Sequence, residues 1–123
     1  MEIHPIGIIR DDPEDGIKEI QIYRQFAEGL DGVEGWSHLW VMFWMDRLPE
    51  ESRKVLRTHP MGDRTRARRG VFALRSPMRP NPIGLTKVRL LSRDGNVLKV
   101  EGLDALDGTP VIDIKPVISS EQR

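Results

Sequence analysis

The amino-acid sequence predicts an all-β protein, a single compact β-barrel with at most one or two short helices. Three observations lead to this fold class. Short apolar segments recur along the 123 residues. Turns rich in glycine or proline separate them, and several segments alternate apolar with polar residues, as half-buried strands do. Short strands at this spacing are typical of barrels and sandwiches. The length fits one domain over residues 1–123.

The first half of the chain contains three predicted strands. The first runs from Ile3 to Ile9, and the second is a half-buried strand around Ile20 and Ile22. Residues 37–45 are almost continuously apolar, which predicts a strand buried on both faces. Residues 48–56 are ambiguous. Pro49 would suit the start of a short helix, whereas residues 54–58 alternate like a strand.

The second half adds further strands and two tight turns. Residues 70–74 are predicted as a short strand that precedes a proline-rich loop. Residues 85–91 alternate in polarity, and the Asp94-Gly95-Asn96 turn predicts a hairpin onto a strand at residues 97–103. A turn at residues 107–110 leads into a last strand at residues 111–114, and the default role of Asp107 is to cap that turn.

Composition excludes several classes of function. The chain has no cysteine, which rules out disulfides and thiolate chemistry and favours a cytoplasmic location. Its three histidines are scattered, so no metal site is expected. The N-terminus does not resemble a signal peptide, and the longest apolar run is too short to cross a bilayer. We therefore expect no membrane association.

The proline-rich segment is the most informative part of the sequence. Pro77, Pro80 and Pro82 fix three backbone φ angles and remove three amide donors. The loop is therefore stiff, and it holds Arg75 and Arg79 in defined directions. A preorganised binding loop and a passive connector both fit this composition.

Charge is unevenly distributed although the formal net charge is zero. Residues 1–35 are rich in acids, whereas residues 57–79 carry seven arginines and one acid, Asp63. Arginine recognises phosphate through its bidentate guanidinium. The cluster predicts nucleic-acid binding, although a solvated loop or a contact with the acidic segment of a partner subunit would give the same composition. The predicted nucleic-acid-binding residues are Arg64, Arg66, Arg68, Arg69 and Arg79.

Three blocks of sequence resemble the TsaA/TrmO-like family. They are residues 35–40 (GWSHLW), 70–86 (GVFALRSPMRPNPIGLT) and 104–116 (DALDGTPVIDIKP). They follow the family's order and cover most of the chain. The resemblance implies a β-barrel that binds S-adenosyl-L-methionine without a Rossmann motif, usually as a homodimer. It also implies an enzyme that methylates N6 of threonylcarbamoylated adenosine beside the anticodon of tRNA.

The same resemblance implies which residues form the cofactor pocket. They are Asp46, Arg47, Arg75, Leu85, Asp107, Gly108, Thr109 and Pro110. Some members have a histidine at the position of Asp46. Bacterial members also carry a Pro-Arg-Gln triplet between the first two strands, where this chain has the acidic segment Arg10 to Gly16. They have a C-terminal extension too, whereas this chain stops soon after Pro116.

The mechanism leaves several roles open. The N6 of a carbamoylated adenine is a weak nucleophile, so a proton acceptor would help. Either an acid between Asp104 and Asp113 or His59 is expected to serve. Trp36, Trp40 or Trp44 would suit base stacking, although core packing is the better expectation for the last two. His38 is expected to be a hydrogen-bonded core histidine.

Two alternative functions remain. One is a sensor module that binds S-adenosyl-L-methionine without catalysis. The other is a methyltransferase that acts on a non-tRNA substrate.

Overall fold

Six antiparallel strands close into a barrel in the computed structural model, which describes residues 1–119. The strands are β1 (Gly7–Asp11), β2 (Ile17–Ile22), β3 (His38–Trp44), β6 (Ile83–Asp94), β7 (Val97–Glu101) and β8 (Pro110–Pro116). Their order around the barrel is β1-β2-β7-β6-β3-β8. The two remaining strands, β4 (Arg57–Thr58) and β5 (Arg69–Gly70), form a separate small sheet. The predicted all-β barrel is confirmed.

Alternation of side chains along the strands builds the core. Successive residues of a strand point to opposite faces, so every second position enters the barrel. On β3, Leu39 and Val41 are completely buried, and so are Ile9 of β1 and Ile20 of β2. The predicted hairpin is also confirmed, because β6 and β7 pair from Asp94↔Val97 onward.

The structure corrects three details of the predicted strands. The first strand begins at Gly7 and not at Ile3, since Pro5 has no amide hydrogen for a strand ladder. The strand β3 is buried on one face only, and its other face is half-buried. Residues 70–74 were predicted as a strand, but Val71–Ala73 form a 3₁₀ turn after the two-residue strand β5.

Helical structure in the described part of the chain consists of 3₁₀ segments. The ambiguous residues 48–56 contain one of them, Glu50–Lys54. Four more lie at Arg24–Leu30, Val33–Gly35, Pro60–Gly62 and Val71–Ala73. The sequence predicted at most one or two short helices. The segments are three to seven residues long. Such short 3₁₀ segments are set by local turn chemistry and carry no helical periodicity that a sequence pattern would reveal.

Two glycines allow strands of the barrel to approach closely. A Cβ atom at Gly7 would collide with the backbone carbonyl oxygen of Gln21 and would lie 3.1 Å from the Cα atom of Ile22. A Cβ atom at Gly84 would overlap the ring of Phe43, whose Cδ2 atom would be 2.8 Å away. A side chain at Gly7 would therefore force backbone to move, and one at Gly84 would displace the buried ring of Phe43.

The acidic turn between β1 and β2 is fastened to the barrel by Asp12. One carboxylate oxygen of Asp12 accepts a hydrogen bond from the Glu14 amide at 2.9 Å, and the other lies 3.3 Å from the Lys99 ammonium. The Glu14 amide, followed by Lys99, holds the pKa of Asp12 below its ordinary value. Asp12 therefore remains ionised at neutral pH and ties the turn to β7.

The chain divides into two compact units. The first contains residues 1–44 and 84–119 of the described chain and includes the barrel. The second, Met45–Ile83, contains β4, β5, three of the 3₁₀ segments and the proline-rich loop. The single domain over residues 1–123 stays a prediction.

Candidate functional site

The predicted cofactor residues fall into two groups along the chain. Leu85 and the turn at residues 107–110 belong to the barrel unit, whereas Asp46, Arg47 and Arg75 belong to the unit Met45–Ile83. Leu85 is 41% exposed on β6. Asp46 and Arg47 form an exposed turn directly after β3. Each group is therefore described within its own unit.

The turn at residues 107–110 is held tightly against β1. Gly108 has a φ of 86°, a left-handed conformation that glycine adopts without strain. Its amide donates to the carbonyl of Ile9 at 2.6 Å, and the Ile9 amide donates to the Thr109 carbonyl at 2.9 Å. The predicted tight turn is confirmed, and Thr109 is 4% exposed.

Asp107 anchors the same turn through its side chain. One oxygen accepts a hydrogen bond from the Asp11 amide at 2.8 Å, and the other lies 3.5 Å from the Arg10 guanidinium. The segment that lacks the Pro-Arg-Gln triplet thus contributes two contacts to this turn. The Asp107 side chain is nevertheless about half exposed.

The other two predicted acids already have partners. Asp104 accepts a hydrogen bond from the Thr86 hydroxyl at 2.7 Å. Asp113 accepts one from the Ile114 amide at 2.9 Å and lies 3.9 Å from the Lys115 ammonium. The two carboxylates therefore have structural roles in the barrel unit.

Two arginines brace the proline-rich loop. Arg53 donates from Nε to the Pro80 carbonyl at 2.8 Å and from Nη2 to the Asn81 side chain at 3.4 Å. Arg79 donates to the Leu74 carbonyl at 3.2 Å and also to the Val71 carbonyl. The guanidinium of Arg79 thus holds the backbone that leads into its own loop, and the RNA-binding role of this residue stays a prediction.

A cleft of about 850 Å³ lies inside the unit Met45–Ile83. It is lined by Thr58, His59, Pro60, Met61, Gly62, Arg66 and residues 72–78. Arg75 is among the lining residues, whereas Asp46 and Arg47 are not. The stiff loop thus forms one wall of a cleft, which favours a binding loop over a passive connector.

His59 has a defined tautomer in this cleft. Its Nδ1 atom lies 2.8 Å from the carbonyl oxygen of Arg66. A carbonyl oxygen only accepts, so Nδ1 carries the hydrogen and Nε2 is the unprotonated nitrogen of the neutral ring. The imidazole therefore offers a lone pair at Nε2.

The arginines of the basic segment are exposed. Arg64, Arg66, Arg68 and Arg69 all face solvent, and Arg68 reaches the Arg57 carbonyl at 3.3 Å. The only acid of the segment, Asp63, accepts hydrogen bonds from the hydroxyl and the amide of Thr65. These bonds, with a smaller contribution from His59, hold the pKa of Asp63 below its ordinary value. The Asp63 carboxylate is therefore bonded within its own turn.

Trp36, Trp40 and Trp44 were candidates for base stacking, with core packing the better expectation for the last two, and all three lie in the barrel unit. Trp40 and Trp44 are half-buried on β3, and Trp36 is 42% exposed at a separate cavity of about 530 Å³. His38, predicted in the core, is half-buried and lies 2.9 Å from the Ser37 hydroxyl.

Phe72 is the one Phe, Tyr or Trp residue of the unit Met45–Ile83. It is 83% exposed and lines the cleft. Sequence reasoning missed it because residues 70–74 were predicted as a strand.

The described residues contain no metal-binding arrangement. Across residues 1–119, no group of three or more His, Asp or Glu side chains is placed to hold a metal ion. Over the same part of the chain, no helix has the length and hydropathy needed to cross a bilayer.

Comparison with known proteins identifies relatives over most of the chain. A relative from Methanothermobacter thermautotrophicus, called a probable S-adenosyl-L-methionine-binding protein, is 45% identical over 94% of this chain and 89% of its own. Another with that description, from Archaeoglobus fulgidus, is 52% identical over 83% of this chain but only 26% of its own. The tRNA (adenine(37)-N6)-methyltransferase of Escherichia coli is 43% identical over 75% of this chain and 40% of its own.

Solved structures agree with the sequence comparisons. TrmO from Pseudomonas aeruginosa superposes with a TM-score of 0.73 at 30% identity. The match covers 98% of this chain and 57% of that protein. This chain therefore spans less than three fifths of TrmO and about a quarter of the longer Archaeoglobus relative.

A family model gives the broadest assignment. The model described as the tRNA-methyltransferase O N-terminal domain matches residues 11–121. The match includes β2 to β8, the turn at residues 107–110 and the cleft. The resemblance found in the sequence is thus confirmed, and the chain belongs to the tRNA-methyltransferase O (TrmO) N-terminal domain family.

Proposed function

We propose that this protein is an S-adenosyl-L-methionine-dependent methyltransferase of tRNA, and that its target is N6 of threonylcarbamoylated adenosine beside the anticodon. The observation that carries the proposal is the cleft of the unit Met45–Ile83, where a rigid loop, a histidine with an available Nε2 atom and exposed arginines come together. The likeness to the E. coli tRNA (adenine(37)-N6)-methyltransferase supports the same reaction class.

The residues assigned to the cofactor fit its chemistry. S-adenosyl-L-methionine has an ammonium, a carboxylate, ribose hydroxyls and an adenine, and it supplies a methyl group carried on a positive sulfonium. The carboxylates of Asp46 and Asp107 suit the hydroxyls and positive groups. Arg47 and Arg75 suit the carboxylate. Leu85 offers an apolar surface that is 41% exposed. The turn at Gly108 and Thr109 is rigid, as a preformed pocket requires.

Positioning is the main contribution that these residues make to the rate. Holding two reacting groups in the right geometry is worth up to roughly 7–11 kcal/mol of the barrier. The proline loop is suited to that task, because three φ angles are fixed by covalent rings and two guanidiniums bind its carbonyls. His59 takes the proton that N6 loses, at its Nε2 atom. The acids between Asp104 and Asp113 are less suitable, since each already accepts a hydrogen bond.

Calorimetric titration tests the cofactor assignment first. We expect the purified protein to bind S-adenosyl-L-methionine and S-adenosylhomocysteine with micromolar affinity, and to transfer a labelled methyl group to threonylcarbamoylated tRNA. Binding without transfer would support the sensor function, which the names of the archaeal relatives also fit. The absence of binding would contradict the proposal.

The arginine cluster provides a separate prediction for RNA. Alanine at Arg66, Arg68 and Arg69 is expected to weaken tRNA binding and to flatten its salt dependence. Each lost phosphate contact lowers the slope of log affinity against log salt by about 0.7–0.9. Fluorescence anisotropy across a salt series measures both. Cofactor affinity, followed by calorimetry, is expected to remain unchanged. A loss of both affinities would mean that the segment has a structural role, and an unchanged slope would remove it from the RNA interface.

Three further properties are proposed from the family resemblance. They are a homodimer, a cytoplasmic location and a single functional domain over residues 1–123. Size-exclusion chromatography with light scattering measures the first, cell fractionation the second, and expression of residues 1–123 alone the third.

A further inference from the structure

We propose that Phe72 is a stacking platform for an unpaired purine base of RNA bound in the cleft of the unit Met45–Ile83. The inference rests on the proposed function, because it assumes that RNA is the substrate. It adds the residue that receives the base, which neither the sequence motifs nor the comparisons assign.

The exposure of Phe72 is the first observation. Its side chain is 83% exposed, whereas the preceding residue, Val71, is 1% exposed and belongs to the packed interior. An aromatic ring left in water at the wall of a cleft forgoes the stabilisation that burial would provide. Such a ring is available to a ligand with a flat apolar face, and every nucleobase has one.

The rigidity of its support is the second observation. The Val71 amide donates to the Leu56 carbonyl at 2.9 Å, and the Leu74 amide donates to the Val71 carbonyl at 3.1 Å. Arg79 donates to the carbonyls of both Val71 and Leu74. The backbone is thus fixed on either side of Phe72. Only the side chain, and not the backbone beneath it, therefore has to be ordered when a base stacks on the ring.

The size of the cleft and the residues around Phe72 suit a nucleotide. The cleft volume of about 850 Å³ is ample for a base with its sugar. Met61 and Met78 supply apolar lining, while Arg66 lies in the same cleft and suits phosphate. His59, with its acceptor nitrogen Nε2, also lines the cleft. An exocyclic amine of adenine is a donor that this nitrogen can accept.

Binding of an anticodon stem-loop RNA tests the assignment. Two fluorescent probes are used, one with the target adenosine and one with an abasic residue at that position. For the intact probe, Phe72→Ala is expected to lower affinity on the order of tenfold to a hundredfold. Phe72→Trp is expected to bind like the wild type, and Phe72→Leu to bind as weakly as the alanine variant, because it is apolar but not aromatic.

The abasic probe isolates the contact between ring and base. Wild-type protein should bind it as weakly as Phe72→Ala binds the intact probe, and Phe72→Ala should lower its affinity no further. The salt slope of Phe72→Ala should equal that of the wild type, since no phosphate contact is lost. Thermal unfolding should be unchanged in all three variants, because the side chain is exposed.

The outcomes that overturn the inference differ from those that overturn the function. Full affinity of Phe72→Ala or Phe72→Leu, in a protein that still binds RNA, would remove the stacking role and leave the function standing. An equal loss on the intact and abasic probes would show that Phe72 does not contact the target base. Failure of the wild-type protein to bind either probe at low salt would overturn both proposals.

Discussion

Replacing Gly7 by alanine is expected to destabilise the barrel by about 3 kcal/mol or more, the upper range for overpacking of an interior. The new Cβ atom would collide with the carbonyl oxygen of Gln21. Gly7 also pairs with Ile22 on one side and with Val111 on the other. The collision can therefore be removed only if a strand moves, because the atoms in the way are backbone atoms and not the end of a flexible side chain. Chemical denaturation of the variant and the wild type measures the loss.

Gly35 provides the matched control for this substitution. It has no atom within 4 Å of an added Cβ and no positive φ angle. Gly35→Ala is therefore expected to leave the free energy of unfolding within about 0.5 kcal/mol of the wild-type value, as most surface changes do. If both variants were equally stable, the close approach of β1 and β2 at Gly7 would be wrong.

Replacing His59 by alanine is expected to slow methyl transfer by about 10²- to 10⁴-fold, the usual contribution of a positioned general base. The hydrogen bond between Nδ1 and the Arg66 carbonyl leaves Nε2 as the acceptor nitrogen. Loss of the ring removes that acceptor from the cleft. The measurement is the single-turnover rate at saturating cofactor and tRNA, so that changes in affinity do not enter.

Two other variants make the result specific. His4→Ala removes an exposed histidine that lies 3.7 Å from Glu2, outside the cleft, and should keep the full rate. Asp107→Asn should weaken cofactor binding and retain the single-turnover rate, because Asp107 anchors the turn through Asp11 and Arg10. Full rates for both His59→Ala and Asp107→Asn would refute a proton acceptor among these residues.

Much of the barrel is predictable because its physical signals are local. Alternation at Ile20 and Ile22 locates β2, and the Asp94-Gly95-Asn96 turn locates the hairpin of β6 and β7. Burial on β3 was not predictable in the same way, since a run of apolar residues does not reveal which face meets the core. Only the closed order of strands decides that Leu39 is buried while Trp40 is half-buried.

The candidate site was only partly predictable. The proline loop and the arginine cluster are contiguous in sequence, and the chain places the loop and Arg66 in one cleft. The bracing role of Arg53 was not visible, because its partner Pro80 lies 27 residues away. Phe72 was missed for a related reason. Its exposure follows from a 3₁₀ turn fixed by Arg79, a contact that no periodicity encodes.

The place where the unit Met45–Ile83 enters the chain has an evolutionary consequence. It connects β3 and β6, which are neighbours in the barrel. The Leu90 amide donates to the Ser37 carbonyl, and the Met45 amide donates to the Pro82 carbonyl at 2.8 Å. The chain thus leaves and re-enters through adjacent antiparallel strands, as a hairpin loop does. An insertion of this kind can be lengthened, shortened or exchanged without a change of register in any strand. The proposed RNA-binding residues of this unit could therefore be exchanged without a change in the barrel.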